Sequence, residues 1–329
     1  MNTCPTTPYY SAELWSVLFS CGNYLFLPAV LNKNHNMKIP ALTGLLVCLY
    51  MNVAAQDPDL LSQLDTTAAR EPVTGAFYSS RVINGHSMEM IGKGVLDFRI
   101  LHRFGRINLG PREMFGLDQA RMRLGFDYGL GKNVSVGIGR STLQKEADAF
   151  IKTRLVQQSS GVRPVPISVL LIGGITVQTF KRPDSVSLSD KTAYYLQAVF
   201  GRKFSDAFSF QLSPTYLHLN KATFNDDNDI LALGAGARYK FSKRLALVMD
   251  YYYVFNGLPE NLLYNPLSIG LDVFTGGHIF QLHFSNTNGM NERAFIAETI
   301  YGWDNWDIMF GFNLSRVFTI GKKRNEAKW

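Results

Sequence analysis

Apolar and polar residues alternate with a period of two along most of this chain. The last such segment is the clearest, because every second position from Trp306 to Leu314 is apolar or aromatic. A strand needs this alternation when one face contacts lipid and the other lines a polar lumen. The pattern predicts an all-β fold, a transmembrane antiparallel up-and-down β-barrel, whose last strand runs from Trp306 to Phe318.

Eleven earlier segments carry the same alternation or are apolar on both faces, which predicts a barrel of about twelve strands. A soluble β-sandwich has the same periodicity, so alternation alone does not separate the two folds. The predicted strands lie at 96–101, 120–128, 134–138, 148–155, 167–178, 194–200, 208–212, 230–241, 244–255, 267–274, 278–285 and 306–318.

The predicted connections between the strands favour the barrel. Those after even-numbered strands are short, as at Leu130–Asn133 and Ser159–Val165, and most of those after odd-numbered strands are long, as at Asn286–Asn305. The connection after the third strand, Ser141–Ala147, is of modest length. Short periplasmic turns that alternate with longer external loops, on an even strand count, are typical of outer-membrane barrels.

Residues 1–93 are predicted to lie outside the barrel wall. Residues 37–55 read as a signal peptide, since a Lys precedes an apolar run and small residues follow it, so residues 1–36 are an upstream leader or a misassigned start. Residues 56–93 form a predicted N-terminal periplasmic or lumenal segment. Its part Val73–Ile83 is strand-like, and we favour an insert in the lumen because a thirteenth strand would break the even count. The barrel is predicted at 94–320 and a C-terminal tail at 321–329.

Composition supports export and excludes several classes of function. Charged residues make up 18% of the chain, against about a quarter in soluble domains. The three cysteines, Cys4, Cys21 and Cys48, all precede residue 56, so the mature chain would have no thiolate chemistry and no thiolate metal site. The net charge of +7 is not clustered enough to indicate nucleic-acid binding. We predict no cofactor and no metal.

Several stretches resemble a family of membrane-bound outer-membrane β-barrel proteins of unknown function from Bacteroidetes-type genomes. The resemblance covers nearly all of residues 70–320 and implies an outer-membrane barrel, but the family brings no established activity from which functional residues could be taken. The stretches that carry it are Ser80–Glu89, Leu101–Gly105, Phe115–Asp118, Gly137–Arg140 and Gly311–Phe318.

Charged residues occupy the positions that face inward when the apolar stripe faces lipid. They form either a basic constriction that selects anions or, as we favour, a network of structural salt bridges that fills the lumen, because an unpaired buried charge costs several kcal/mol. The lumen-lining candidates are Asp97, Arg99, Arg103, Arg121, Arg123, Asp127, Lys152, Arg154, Arg238, Lys240, Asp250 and Asp272.

A possible enzymatic site lies at His283 and Ser285, two residues apart on one predicted strand. The spacing resembles that of outer-membrane phospholipases, in which a His activates a Ser nucleophile. That chemistry must face the lipid. Here Phe280, Leu282 and Phe284 hold the outward positions, so His283 and Ser285 should point into the lumen, which disfavours an enzyme.

The chain is therefore predicted to be a narrow pore or binding barrel of the bacterial outer membrane for a small, anionic solute. Its expected partners are outer-membrane lipid, the barrel-assembly machinery and that solute, without nucleic acid; protein partners are unknown. Two alternatives stay open. One is a structural or partner-docking barrel with an occluded lumen, and the other is a lipid hydrolase that uses His283 and Ser285.

Overall fold

Twelve antiparallel strands close into a single barrel, as the alternation predicts. The computed structural model describes residues 69–180, 187–222, 227–257, 259 and 262–320. The signal peptide, the upstream leader, residues 56–68 and the tail lie outside the described residues. Each strand pairs with its neighbours in the chain, and β12 pairs with β1 to close the barrel. The strands are β1 (Val95–Arg106), β2 (Ala120–Gly129), β3 (Val134–Ser141), β4 (Glu146–Val156), β5 (Ser168–Gln178), β6 (Thr192–Lys203), β7 (Phe208–Leu219), β8 (Asp229–Lys240), β9 (Leu245–Val254), β10 (Leu267–Phe274), β11 (His278–Ser285) and β12 (Met309–Thr319).

The last strand is shorter than its sequence pattern. It begins at Met309, which pairs with Ser285 of β11 and Arg106 of β1. The prediction that it begins at Trp306 is wrong. Trp306 has a φ of +57° and its N–H donates to the carbonyl of Trp303 (3.3 Å), so it lies in a turn that an extended strand cannot contain.

The predicted rhythm of short and long connections fails in two places. After β3, the predicted connection Ser141–Ala147 is reduced to residues 142–145 and is as short as the turn after β2. The connection after β4 runs from Gln157 to Ile167 rather than over Ser159–Val165 alone, and it is long. Within it, Ser159–Ser160 pairs with Glu71–Pro72 in a separate two-stranded ladder. The connection after β4 is therefore longer because part of it pairs with the segment that precedes the barrel in the chain.

The burial of the strands is inverted relative to a soluble protein. On β11, Phe280, Leu282 and Phe284 are 43–47% exposed, whereas Gln281 and His283, which alternate with them, are at most 4% exposed. Apolar side chains thus cover the outside of the barrel and polar side chains fill the inside, as in barrels whose outer face is solvated by lipid. Among the described residues, no helix is long and apolar enough to cross a membrane.

Two segments fold into the barrel interior. The first, residues 76–92, is called the inner hairpin; it enters from the end with the short turns, where Gly94 N–H donates to the carbonyl of Gly129 (2.8 Å). The second, residues 286–298, is called the inner loop; it follows β11 and enters from the opposite end. It contains the short helix α1 (Glu292–Ala297), in which every residue is buried.

The interior has an apolar side. Residues 167–178 are apolar on both faces in the sequence, and the structure explains this, because Leu170 and Ile172 point inward on β5 and are fully buried. They belong to one apolar cluster with Phe295, Ile296 and Ala297 of α1 and inward residues of β4 to β9. The rings of Tyr252 and Phe295 meet edge to face at 5.0 Å. This packing holds the inner loop against one half of the wall.

Candidate functional site

The inner hairpin is a tight turn whose tip is held by one carboxylate. Val82 N–H donates to the carbonyl of Gly85 (2.9 Å), which closes the turn. The Asp250 carboxylate of β9 accepts from the N–H groups of Asn84 (2.7 Å), Gly85 (3.1 Å) and Ile83 (3.3 Å). A Cβ on Gly85 would lie 1.9 Å from the hydroxyl of Tyr252, so only glycine allows this close approach.

The base of the hairpin is held by one ammonium group. Lys152 of β4 donates from Nζ to the carbonyl oxygens of Ser87 (2.7 Å), Glu89 (2.7 Å) and Ser80 (3.1 Å). Three carbonyls satisfy all three donors of the ammonium, which compensates for much of the cost of burying it. Lys152 and Asp250 thus fix the two ends of the inner hairpin to the wall.

The two inner segments meet at an ion pair inside the barrel. The Arg81 guanidinium lies 2.8 Å from the Glu292 carboxylate of α1, and both side chains are at most 2% exposed. His86 Nε2 lies 3.3 Å from the same carboxylate oxygen. Tyr195 Oη lies 3.2 Å from the same ring nitrogen. The closure of the lumen therefore depends on a contact between two segments that come from opposite ends.

Three cavities follow one another along the polar wall formed by β11, β12 and β1. The first, about 220 Å³, opens near Met309 at the end of the long loops. The second, about 10 Å³, lies at Asn313 and Ser315, and the third, about 180 Å³, at Ser315 and Val317 near the short turns. The second has the size of a single water molecule. The inner segments thus leave an interrupted path along β12.

Arg103 closes this path between the first two cavities. Its guanidinium donates to Asn84 Oδ1 of the inner hairpin (2.7 Å) and to Asn313 Oδ1 of β12 (2.9 Å). The side chain is fully buried, and within the described residues no carboxylate forms an ion pair with it. A Cβ on Gly311 would lie 2.9 Å from Arg103 Cδ and 2.5 Å from His283 Nε2, so glycine makes room for both side chains here.

The structure places the twelve lumen-lining candidates in two groups. Nine are buried inside the barrel: Asp97, Arg99, Arg103, Arg123, Asp127, Lys152, Arg238, Asp250 and Asp272. Three are partly exposed near the ends of their strands: Arg121, Arg154 and Lys240.

Only some of the buried charges pair with one another. Arg123 lies 2.5 Å from Asp148, and Arg99 lies 3.6 Å from Asp97. Arg238 instead lies over the ring of Tyr78, at 5.0 Å. The interior is thus partly a salt-bridge network and partly a set of cations held by neutral groups.

Sequence reasoning missed the residues that close the path. Gln281 and Asn313 could have been found, since they occupy inward positions on strands whose outward positions are apolar. Asn84 and Glu292 carry no such signal, because no periodicity indicates that their segments fold inward. Arg81 lies in Val73–Ile83, which the even strand count assigns to the lumen, but no local pattern identifies its partner.

The arrangement around His283 and Ser285 does not form a nucleophile with its base. Both side chains are buried inside the barrel, as their parity predicts. Ser285 Oγ pairs with Ser268 Oγ at 2.8 Å, and neither ring nitrogen of His283 has a hydrogen-bond partner. A hydrolase of this kind needs a hydrogen bond from Ser to His. Among the described residues, no group of three or more His, Cys, Asp or Glu side chains could hold a metal ion.

Comparison with known proteins gives one family. A family model described as a membrane bound beta barrel domain matches residues 77–318, from the inner hairpin into β12. No curated protein matches the sequence of the chain.

Several solved porin structures are similar to the chain at low sequence identity. The NanC porin is 9% identical, with a TM-score of 0.45, over 67% of this chain and 98% of the porin. The KdgM porin in complex with disordered oligogalacturonate is 10% identical, with a TM-score of 0.43, over 68% of this chain and 99% of the porin. The OccK11 structure from Pseudomonas aeruginosa is 11% identical, with a TM-score of 0.30, over 68% of this chain and 65% of that one.

Proposed function

The chain belongs to this family of membrane-bound β-barrels, and we propose that it is an outer-membrane barrel that passes or binds a small, anionic solute along β12. In the described conformation the path is closed at Arg103, and the inner hairpin and inner loop fill the rest of the lumen. The outer membrane is the location that fits an exported barrel with an apolar outer face. Lipid and the barrel-assembly machinery are its expected partners there.

The observation that carries this proposal is the row of cavities interrupted by Arg103. An anion that reaches Arg103 would form a hydrogen bond in which both partners are charged, in place of one to a neutral amide oxygen, whereas a cation would be repelled. The contacts that close the path are two hydrogen bonds to the side-chain oxygens of Asn84 and Asn313. Such contacts are worth about 1.5–3 kcal/mol each and can be exchanged for a solute or for water.

Conductance of the purified protein in planar lipid bilayers tests this function. We expect a small, anion-preferring conductance, and we expect Arg103→Gln to bring the ratio of anion to cation permeability toward one. Arg154→Gln is the matched control, because Arg154 donates to the turn residues Lys132 and Asn133 and lies away from the cavities. An unchanged permeability ratio in Arg103→Gln would rule out the role of this residue.

A barrel with a permanently occluded lumen is the second candidate. It is favoured by the number of contacts that fix the inner hairpin, to Lys152, Asp250 and Glu292. Such a barrel would serve a structural or docking role, and it predicts no conductance under any condition in which the barrel is folded. Phospholipid hydrolysis that is lost in Ser285→Ala would instead favour the lipid hydrolase over both.

A further inference from the structure

The first cavity, at the end of the long loops, has the lining of a small binding site. Its volume is about 220 Å³, far more than that of the second cavity, which has the size of a single water molecule. Two arginines line it, Arg106 of β1 and Arg121 of β2, together with the amides of Gln119 and Asn288 and the ring of Tyr301. Residues with cationic, amide and aromatic side chains therefore line one pocket.

The lining of this cavity contains two cations and no carboxylate. Arg103 and Arg121 are directly opposite each other on β1 and β2, at inward positions, and like charges so placed are destabilising. Within the described residues, neither of them forms an ion pair with a carboxylate. Arg106 has one, since Asp307 lies 2.6 Å from it. With Asp307 paired to Arg106, the charge of Arg121 on the cavity lining is left for a bound anion to neutralise.

Arg106 is already held in place on the cavity wall. Asp307 accepts from Arg106 Nη1 and also from Asn108 Nδ2 (2.8 Å), and the guanidinium lies 5.0 Å from the ring centre of Tyr301. A side chain fixed in this way loses little conformational freedom when a ligand arrives. Guanidinium groups bind carboxylates through two parallel hydrogen bonds, and amides can serve the hydroxyl groups of the same ligand.

We propose that this cavity binds a small hydroxylated carboxylate. Its carboxylate would lie between Arg106 and Arg121, and its hydroxyl groups would meet Gln119 and Asn288. The inference rests on the proposed function, because it names the solute class that enters the path from the long-loop end. Free inorganic phosphate offers related chemistry, so the test includes it.

Calorimetric titration of the detergent-solubilised, full-length protein tests the site without requiring conductance. The probes are D-glucuronate, D-glucose as its neutral counterpart, and inorganic phosphate. We expect glucuronate to bind, glucose to show no heat of binding, and phosphate to bind at least about tenfold more weakly, since it has no hydroxyl groups on a carbon frame for the amides. Glucose that binds as well as glucuronate, or phosphate that binds as tightly, would overturn the assignment.

Three variants locate the binding in this cavity. Arg121→Gln should weaken glucuronate binding about tenfold or more, because a hydrogen bond to a charged group is removed. Asp307→Asn should strengthen it, since the amide oxygen can still accept from Arg106 and hold it in place while the competing negative charge is removed; damage to the fold would not produce a gain. Arg112→Gln is the control, because Arg112 is exposed at the same end but does not line the cavity. Equal losses in Arg112→Gln and Arg121→Gln, or no gain in Asp307→Asn, would contradict the proposal.

Titration and conductance separate this site from the proposed function. Glucuronate binding that responds to these variants, in a protein that shows no conductance, would support the site and reject passage of the solute. Conductance that is indifferent to Arg121→Gln, with no calorimetric binding, would reject the site and leave the path along β12 in place.

Discussion

Single polar side chains of the barrel wall hold the inner hairpin in position. Asp250 and Lys152 form hydrogen bonds with backbone groups at its tip and base, which in a sheet would pair with a neighbouring strand. Neither side chain pairs with an opposite charge at these contacts; each is compensated by a set of backbone dipoles. If the hairpin moved, each buried charge would lose its hydrogen-bond partners, at a cost in free energy. These contacts therefore specify one position of the hairpin.

We therefore expect Asp250→Ala to loosen the tip of the inner hairpin. Three backbone N–H groups, those of Ile83, Asn84 and Gly85, lose their acceptor, and their hydrogen exchange should become faster by about tenfold or more. Hydrogen exchange followed by mass spectrometry in detergent is the measurement. The matched control is Asp118→Ala in an exposed turn, which should leave exchange at residues 83–85 unchanged.

At the scale of elements, the two inner segments form one closure because they contact each other. The inner hairpin enters from the short-turn end and the inner loop from the long-loop end, and Arg81 and Glu292 join them at 2.8 Å. Removing one partner of a buried ion pair leaves an uncompensated charge, at a cost of about 3–5 kcal/mol, whereas replacing both can be almost neutral. Substitutions at Arg81 and Glu292 therefore test directly how the lumen is closed.

Loss of this ion pair should open the lumen. We expect Glu292→Gln and Arg81→Met each to raise bilayer conductance, because a charge left alone in the interior favours displacement of its segment. The double variant should be more stable to denaturant than either single variant. Single and double variants with the same stability would mean that the ion pair has no such role. Glu113→Gln, in an exposed loop, is the control and should not change conductance.

At the scale of the whole molecule, the barrel wall is complete without the inner hairpin. The twelve strands form a closed ladder of backbone hydrogen bonds, and residues 76–92 contribute none of the barrel strands. We expect deletion of residues 76–92 to leave a folded barrel with a larger conductance. Unfolding of the deleted protein in detergent would show instead that the hairpin is part of the core, and an unchanged conductance would place the closure elsewhere.

The outer face of the barrel makes a second prediction at this scale. Leu282 is 45% exposed near the middle of β11, and an Arg at a lipid-facing position near the bilayer midplane costs about 2–4 kcal/mol. We therefore expect Leu282→Arg to make folding into lipid vesicles less favourable by about that amount. Leu130→Arg, in a short turn, should have little effect, since charged side chains near the interface cost about 0–1 kcal/mol. Equal effects at both positions would contradict a lipid-facing outer surface.

The alternation along the chain is sufficient to predict the barrel, its strand number and the direction of most strand side chains. Period-two alternation is local, because successive Cβ atoms point to opposite faces of a strand whatever lies elsewhere in the chain. Phe280, Leu282 and Phe284 could therefore be placed outside, and Arg99, Arg103 and Asp250 among the inward positions, from neighbouring residues alone. The start of the last strand could not, since a positive φ at Trp306 ends the pairing where the alternation continues.

Only the folded chain shows how the segments inside the lumen contact the wall and which charges are paired. Arg103 meets Asn84 and Arg81 meets Glu292 across separations of 19 and 211 residues. No local pattern specifies such contacts, because they form only when two segments fold inward against a wall already closed. Whether an inward cation is neutralised by a carboxylate, held by amide oxygens or left facing a cavity depends on those long-range contacts, and so does the route that a solute can take.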